Sequence, residues 1–168
     1  MAIPTETTRD RIREEAYRLL VERGVAGLSM RALAERLNIK ASSLYKHVRD
    51  KDEILLDLQA RGLEALAAAV TAAGAWPSAA VYAYRDWALE NRHLYEICVR
   101  RPLHRGRLSE ELEKDVATMI NALSGQRDEG ARAVWGTVHG LVDLELTGRF
   151  ANGVDLDTTW RRAIAMLR

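Results

Sequence analysis

Within six consecutive positions, 42–47, the chain carries Ser42, Ser43, Tyr45, Lys46 and His47 around a single apolar Leu44. Hydroxyls, a phenol, an ammonium and an imidazole can hydrogen-bond phosphate oxygens and base edges, and these side chains are compact enough for a helix to sit in a major groove. Lys40 and Lys51 flank the set, and together with Lys46 they are three of the only four lysines in the chain. Between Ser29 and Lys51 there are six cations against two anions, a net of +4, whereas 53–168 carries fourteen against sixteen. A local basic footprint on a chain of net charge +1 points to a nucleic-acid contact made by one patch and not by the whole molecule.

The elements that must position this set are legible in 28–56, LSMRALAERLNIKASSLYKHVRDKDEILL. Ser29 can cap a first helix whose apolar residues Met30, Leu33, Ala34 and Leu37 fall on one face. Asn38 tolerates the left-handed backbone that ends a helix, and Ile39 is expected to plug the turn. A second helix is predicted over 41–48, with Ala41, Leu44 and Val48 as its buried stripe. Asp50, Asp52 and Glu53 then cap and charge the start of a third. A helix over 8–23, apolar at Ile12, Ala16, Leu19 and Leu20 and ended by Gly24, completes a three-helix module.

This segment resembles the TetR family of bacterial transcriptional repressors. The family's hallmark is matched by Leu44, Tyr45, Lys46, His47 and Val48, with valine where the family usually has phenylalanine. The resemblance implies that Ser29, Lys40, Ser42, Ser43, Tyr45, Lys46, His47 and Lys51 contact DNA. Tyr45 and His47 would grip phosphates, and Ser42, Ser43, Lys40 and Lys46 would read bases.

A chain of 168 residues can bury a real core. Its Ala, Leu and Arg content favours helix, no strand pattern of convincing length occurs, and the expected fold class is all-α with about nine helices. The single Cys98 excludes an internal disulfide and fits a reducing cytoplasm. The polar start over 1–10 does not read as a signal peptide, and no apolar run approaches a membrane span. The spacing of His47, His93, His104 and His139 fits no metal site. Phosphate-cradling glycine loops and nucleophile elbows are absent, so neither a cofactor nor an enzyme is indicated.

Beyond the basic module, the pattern predicts a long helix from Asp50 through 65–73. Further helices follow over 78–90 (capped by Ser78), 93–100, 109–125, 128–150 and 155–167. The expected division is a DNA-binding domain over 1–52 and a helical effector-binding and dimerisation domain over 53–168. In 128–150 apolar residues form two stripes, one of Trp135, Val138, Val142 and Leu146 with His139, the other of Val134, Leu141 and Leu144. A helix that hides two sides touches its own core and something else, and a partner chain is the economical candidate. Gly136 and Gly140 point to close backbone approach. Trp135, His139 and Gly140 resemble a Trp, His, Gly signature of TetR-type C-terminal domains. That resemblance implies a dimer interface, placed here on Leu141, Leu144, Trp160 and Ile164. It also implies an effector pocket, placed on Tyr84, Trp87, Tyr95, Cys98, Met119, Trp135 and His139. The arginine-rich cluster Arg100, Arg101, His104, Arg105 and Arg107 suits an anion, or simply solvent.

The expected function is therefore a ligand-responsive repressor that binds a palindromic DNA operator as a homodimer, since one short helix reads only a few base pairs. Alternatives are an effector-independent DNA-binding dimer, or a small helical ligand-binding protein or enzyme using His139 and Cys98.

Overall fold

The computed structural model describes residues 7–125 and 129–167. Among them nine α-helices and one 3-10 turn occur and no strand, so the fold is all-α as expected. By packing, the chain divides into two compact units, one of 1–62 with 93–103 and one of 63–92 with 104–168. No helix among the described residues is long and apolar enough to cross a membrane.

The first unit begins with α1 (Thr8–Gly27), opened by a capping box in which the Thr7 hydroxyl accepts from the Asp10 N–H and the Asp10 carboxylate accepts from the Thr7 N–H. Gly24 breaks α1 with φ of 66°, and a Cβ there would stand 3.1 Å from the His93 ring. Glycine is thus required both for the left-handed turn and for the close packing. Ile12, Ala16, Leu19 and Leu20 are buried, the face the pattern predicted. Helix α2 (Met30–Arg36), α3 (Ala41–Leu44) and the opening turns of α4 (Lys51–Ala72) pack with it.

Helix α6 (Arg92–Arg100) also belongs to this unit. Its fastening to α4 is specific: the buried Gln59 amide donates to the Ile97 carbonyl at 3.1 Å, and the Cys98 thiol donates to the Gln59 carbonyl at 3.7 Å. Gly62 lets α6 approach, since a Cβ on it would overlap the Cys98 sulfur and stand 2.9 Å from Leu94 Cγ. The boundary expected after Asp52 falls at the start of α4, whereas packing groups α4 with the first unit as far as Gly62.

The second unit contains the remainder of α4 with α5 (Pro77–Glu90), α7 (Glu110–Ser124), α8 (Glu129–Leu146) and α9 (Leu156–Met166). Helix α5 starts one residue earlier than predicted because Pro77 occupies its first turn, where a missing N–H costs nothing, so Ser78 lies inside the helix and is not its cap. Ser109 does cap α7, accepting from Leu112 N–H at 3.1 Å, and Gly125 ends it with φ of 71°. Residue 128, expected to open α8, lies outside the described residues. That helix stops four residues before Phe150, because Gly148 takes φ of 66° and the Arg149 N–H turns back to the Leu144 carbonyl at 2.9 Å.

The core of the second unit includes Ala80, Val81, Tyr84, Met119, Val138, Val142 and Trp160. A bidentate pair joins α5 to α8, with Arg85 Nε and Nη2 donating to Glu145 at 2.8 and 2.6 Å. The Trp160 indole donates to the same carboxylate at 2.8 Å, bringing in α9. The Arg85 guanidinium, then Trp160, hold the Glu145 carboxyl below its ordinary value against the opposing effect of burial.

Candidate nucleic-acid interface

The helix pair is built by local signals. The Ser29 hydroxyl accepts from the Ala32 N–H at 3.1 Å and caps α2. At the other end Asn38 takes φ of 54°, its N–H bonding the Glu35 carbonyl at 3.1 Å, while the Ile39 N–H reaches the Ala34 carbonyl at 3.0 Å. These bonds satisfy carbonyls left over at the helix end and reverse the chain. Ile39 is not the buried plug expected; it sits exposed on the turn.

Only one turn, Ala41–Leu44, of the predicted second helix is α-helical. After it the Lys46 and His47 N–H groups bond carbonyls three residues back, Ser43 and Leu44, at 3.3 and 3.0 Å, so the segment tightens toward 3-10 geometry before Val48. Leu44 and Val48 are 0% and 2% exposed and pin the segment down, while Ala41, assigned to the same stripe, faces outward. The smaller valine at the family's phenylalanine position is thus still fully used. Asp50 then accepts from the Glu53 N–H at 2.8 Å, and Glu53 accepts from the Arg49 N–H at 2.8 Å. These backbone N–H bonds are the leading reason that both carboxyls titrate below their ordinary values.

The polar set expected from sequence shares one exposed segment. Lys40, Ser42, Tyr45, Lys46 and His47 are exposed and Ser43 half-buried, and among the described residues nothing bonds these six side chains. Tyr45 is 53% exposed despite its large ring. The neighbouring arginines differ, because each has a carboxylate: Arg31 with Glu35 at 2.9 Å, Arg36 with Glu22 at 2.6 Å, Arg49 with Asp50 at 2.9 Å. The cations left for an anionic partner are therefore Lys40 and Lys46. Lys51 is turned to an internal use, its ammonium donating to the Val25 carbonyl at 3.3 Å, and Ser29 is engaged as a cap. A surface of short donors carrying uncompensated positive charge can bind a phosphate backbone and reach base edges.

The residues expected to line an effector pocket divide between the two units. Tyr95 and Cys98 belong to the first unit, where α6 buries both; desolvation pushes the Cys98 thiol up to about 12. In the second unit Tyr84 and Met119 are core, and Trp87, Trp135 and His139 are half-buried. The Trp135 indole donates to the Tyr84 hydroxyl at 3.3 Å, and the Trp135 and His139 rings stack with centroids 6.3 Å apart. A cleft of about 380 Å³ opens elsewhere in this unit, between α7, α8 and the 3-10 turn Arg105–Arg107, and none of the seven lines it. Its floor includes Val116 and Ile120, whose helical spacing reads as core; both are half-exposed. Among the described residues, no group of three or more His, Cys, Asp or Glu could hold a metal ion.

The residues expected at a dimer interface also separate. Trp160, 1% exposed, is an interior residue with its indole spent on Glu145, and Ile164 is buried beside it in the sequence pattern of α9. Both are covered by their own chain. Leu141 is half-buried and Leu144 is 38% exposed. The buried stripe of α8 is Ala131, Val134, Val138 and Val142, so Val134 joins the core stripe rather than the outer one. A Cβ added at Gly136 or Gly140 meets nothing within 4 Å, so the close approach expected there is not made by this chain.

Comparison with known proteins bears on both units. The family model described as bacterial regulatory proteins, tetR family, matches residues 12–58, and that of the tetracyclin repressor-like C-terminal domain matches 78–167. An uncharacterized HTH-type transcriptional regulator of Mycobacterium tuberculosis is 26% identical over 185 aligned positions, covering 99% of this chain and 83% of the relative. In fold, the chain is similar to a protein of unknown function from Rhodococcus sp. RHA1, with TM-score 0.74, 21% identity and coverage of 99% and 96% of the two chains. The crystal structure of TetR from Acinetobacter baumannii AYE gives a TM-score of 0.63 at 21% identity, covering 97% of this chain and 95% of that one. The C-terminal match alone spans more than half of the sequence, and the N-terminal match contains every residue of the exposed polar segment. The chain belongs to the TetR family of DNA-binding transcriptional regulators.

Proposed function

We propose that this regulator binds a palindromic operator as a homodimer, represses transcription there, and responds to a small-molecule effector. The observation that carries the reading is the unbonded, exposed polar segment 40–47 on a module too small to specify a site alone. A one-turn recognition helix reaches a few base pairs, so useful specificity calls for two copies on successive major grooves. In this reading Tyr45 and His47 hold phosphates, Ser42, Ser43, Lys40 and Lys46 reach base edges, and Ser29 and Lys51 act at the margins. The outward face of α8 supports dimerisation: a Cβ at Gly136 or Gly140 would meet nothing within 4 Å among the described residues, and Leu144, one turn further on, is 38% exposed. Domain 1–52 serves DNA, and 53–168 serves dimerisation and the effector.

Genomic footprinting with purified protein, paired with light scattering of the free protein, tests this reading. The expected result is a near-palindromic footprint that weakens steeply with salt, from a particle of twice the chain mass. A monomer that protects an asymmetric half-site overturns it.

The packing of Tyr84 and Met119 into the core favours a second reading, an effector-independent dimer. Thermal melts across a metabolite library separate the two, because a ligand that binds only the native state raises the melting temperature.

A further inference from the structure

We infer that the cleft between α7, α8 and the 3-10 turn is a binding site for a zwitterionic α-amino acid with a long or aromatic apolar side chain. The cleft, about 380 Å³, falls within the range of small-molecule sites. Its α7 wall is one helix face, since Glu113, Val116, Ala117, Ile120 and Asn121 follow at i, i+3, i+4, i+7 and i+8.

The order of chemistry along that face is what selects the ligand. Glu113 lies in the first turn of α7, and Arg105 stands on the short 3-10 turn that leads into the helix, so both charges are at the same end. Neither side chain has an ion-pair or hydrogen-bond partner among the described residues, although both line the cleft. The other two charged side chains of the lining, Glu129 and Arg132, are paired with each other at 2.6 Å and are satisfied. One free carboxylate and one free guanidinium lining the same cleft complement a ligand that carries both an ammonium and a carboxylate; a simple anion would leave Glu113 repelled, and a simple cation would leave Arg105 so. Beyond the charged end, Val116, Ala117 and Ile120, with Ala131 of α8, supply an apolar strip of roughly 6 Å along α7 at the helical rise per residue. Asn121 closes the far end with an amide.

The regulatory meaning of this site rests on the ligand-responsive reading above, but its occupancy does not. Isothermal titration of the full chain with L-phenylalanine and L-leucine tests it, alongside 3-phenylpropionate and phenethylamine, which each lack one charge. Saturable binding of the amino acids is expected, with about tenfold or greater loss for either truncated analogue and for Arg105→Gln or Glu113→Gln, the scale of a lost charged hydrogen bond. Both substituted side chains are at the surface, so the melting temperature of the variants serves as the check on folding. Equal affinity for 3-phenylpropionate, absence of heat with either amino acid, or binding indifferent to both substitutions overturns the proposal. Amino-acid binding that leaves operator affinity unchanged supports the site and counts against the ligand-responsive reading alone.

Discussion

Adjacent residues of the recognition segment are expected to fail in opposite ways, and the pair Leu44→Ala and Tyr45→Ala exposes the division of labour. Leu44 is 0% exposed, and the one-turn helix that carries it has little else to hold it except Val48. Its truncation removes buried area and leaves a cavity, at a cost of about 3 kcal/mol within the ~2–5 kcal/mol span of such changes. For a chain of this size that lowers the melting temperature by roughly 6–12 °C. Tyr45, 53% exposed and without a partner among the described residues, should change stability by no more than about 0.5 kcal/mol. On an operator the order reverses. A lost hydrogen bond to a phosphate costs ~1.5–3 kcal/mol, and the proposed dimer loses it twice, so affinity falls by about a hundredfold or more. Thermal and urea melts measure the first effect and fluorescence anisotropy on the footprinted duplex the second. A Tyr45→Ala variant that melts early, or one that binds the duplex as tightly as the parent, refutes the assignment of this face to DNA.

Other consequences follow from the two units. Gly62→Ala places a methyl group against the Cys98 sulfur and Leu94, and overpacking of this kind should destabilise by about 1–3 kcal/mol in a urea titration. Glu145→Gln takes the bidentate carboxylate from the largely buried Arg85, leaving it only the exposed Asp157 at 4.0 Å, and should cost about 3 kcal/mol by chemical denaturation. In the parent protein, the folded-state pKa of Glu145 is lowered, so its contribution is fully present above the ordinary value of 4.5 and is lost as pH falls through the folded pKa. Stability of Glu145→Gln should accordingly fall less steeply than the parent's on acidification below that value. Cys98, buried and with its thiol pushed up to about 12, should resist a thiol reagent at pH 8 until denaturant is added, because the thiolate is the reactive form.

Local signals made the helix ends legible in both units. A cap needs only a hydroxyl or carboxylate at one position, and Ser29, Asp50 and Ser109 each accept the backbone N–H expected of them. Left-handed stops at Gly24, Asn38 and Gly125 are equally local, since few residue types tolerate positive φ. Burial on a periodic face was readable where one side alone is covered, as in α1. Length was harder: residues 45–47 continue the helical pattern of α3, but bonds to carbonyls three residues back end the α-helix at Leu44.

What failed was assignment among residues that look alike in sequence. Trp160 and Leu144 are both large apolar residues on the last two helices, yet one is interior, its indole bound to the Glu145 carboxylate that Arg85 also holds, and the other is exposed. Lys46 and Lys51 share a basic segment, but only Lys51 has a carbonyl within reach. Val116 and Ile120 follow a core spacing and instead floor a cleft.

Amino-acid order by itself determined the helical class, the helix ends and the chemistry of the 40–47 segment, because each depends on neighbours within a few positions. Which side chains remain free for a partner was decided by the tertiary structure alone. A cation or an apolar ring is available only if nothing else in the chain has already taken it, and that competition includes residues far along the sequence, as Val25 is for Lys51 and Glu145 for Arg85.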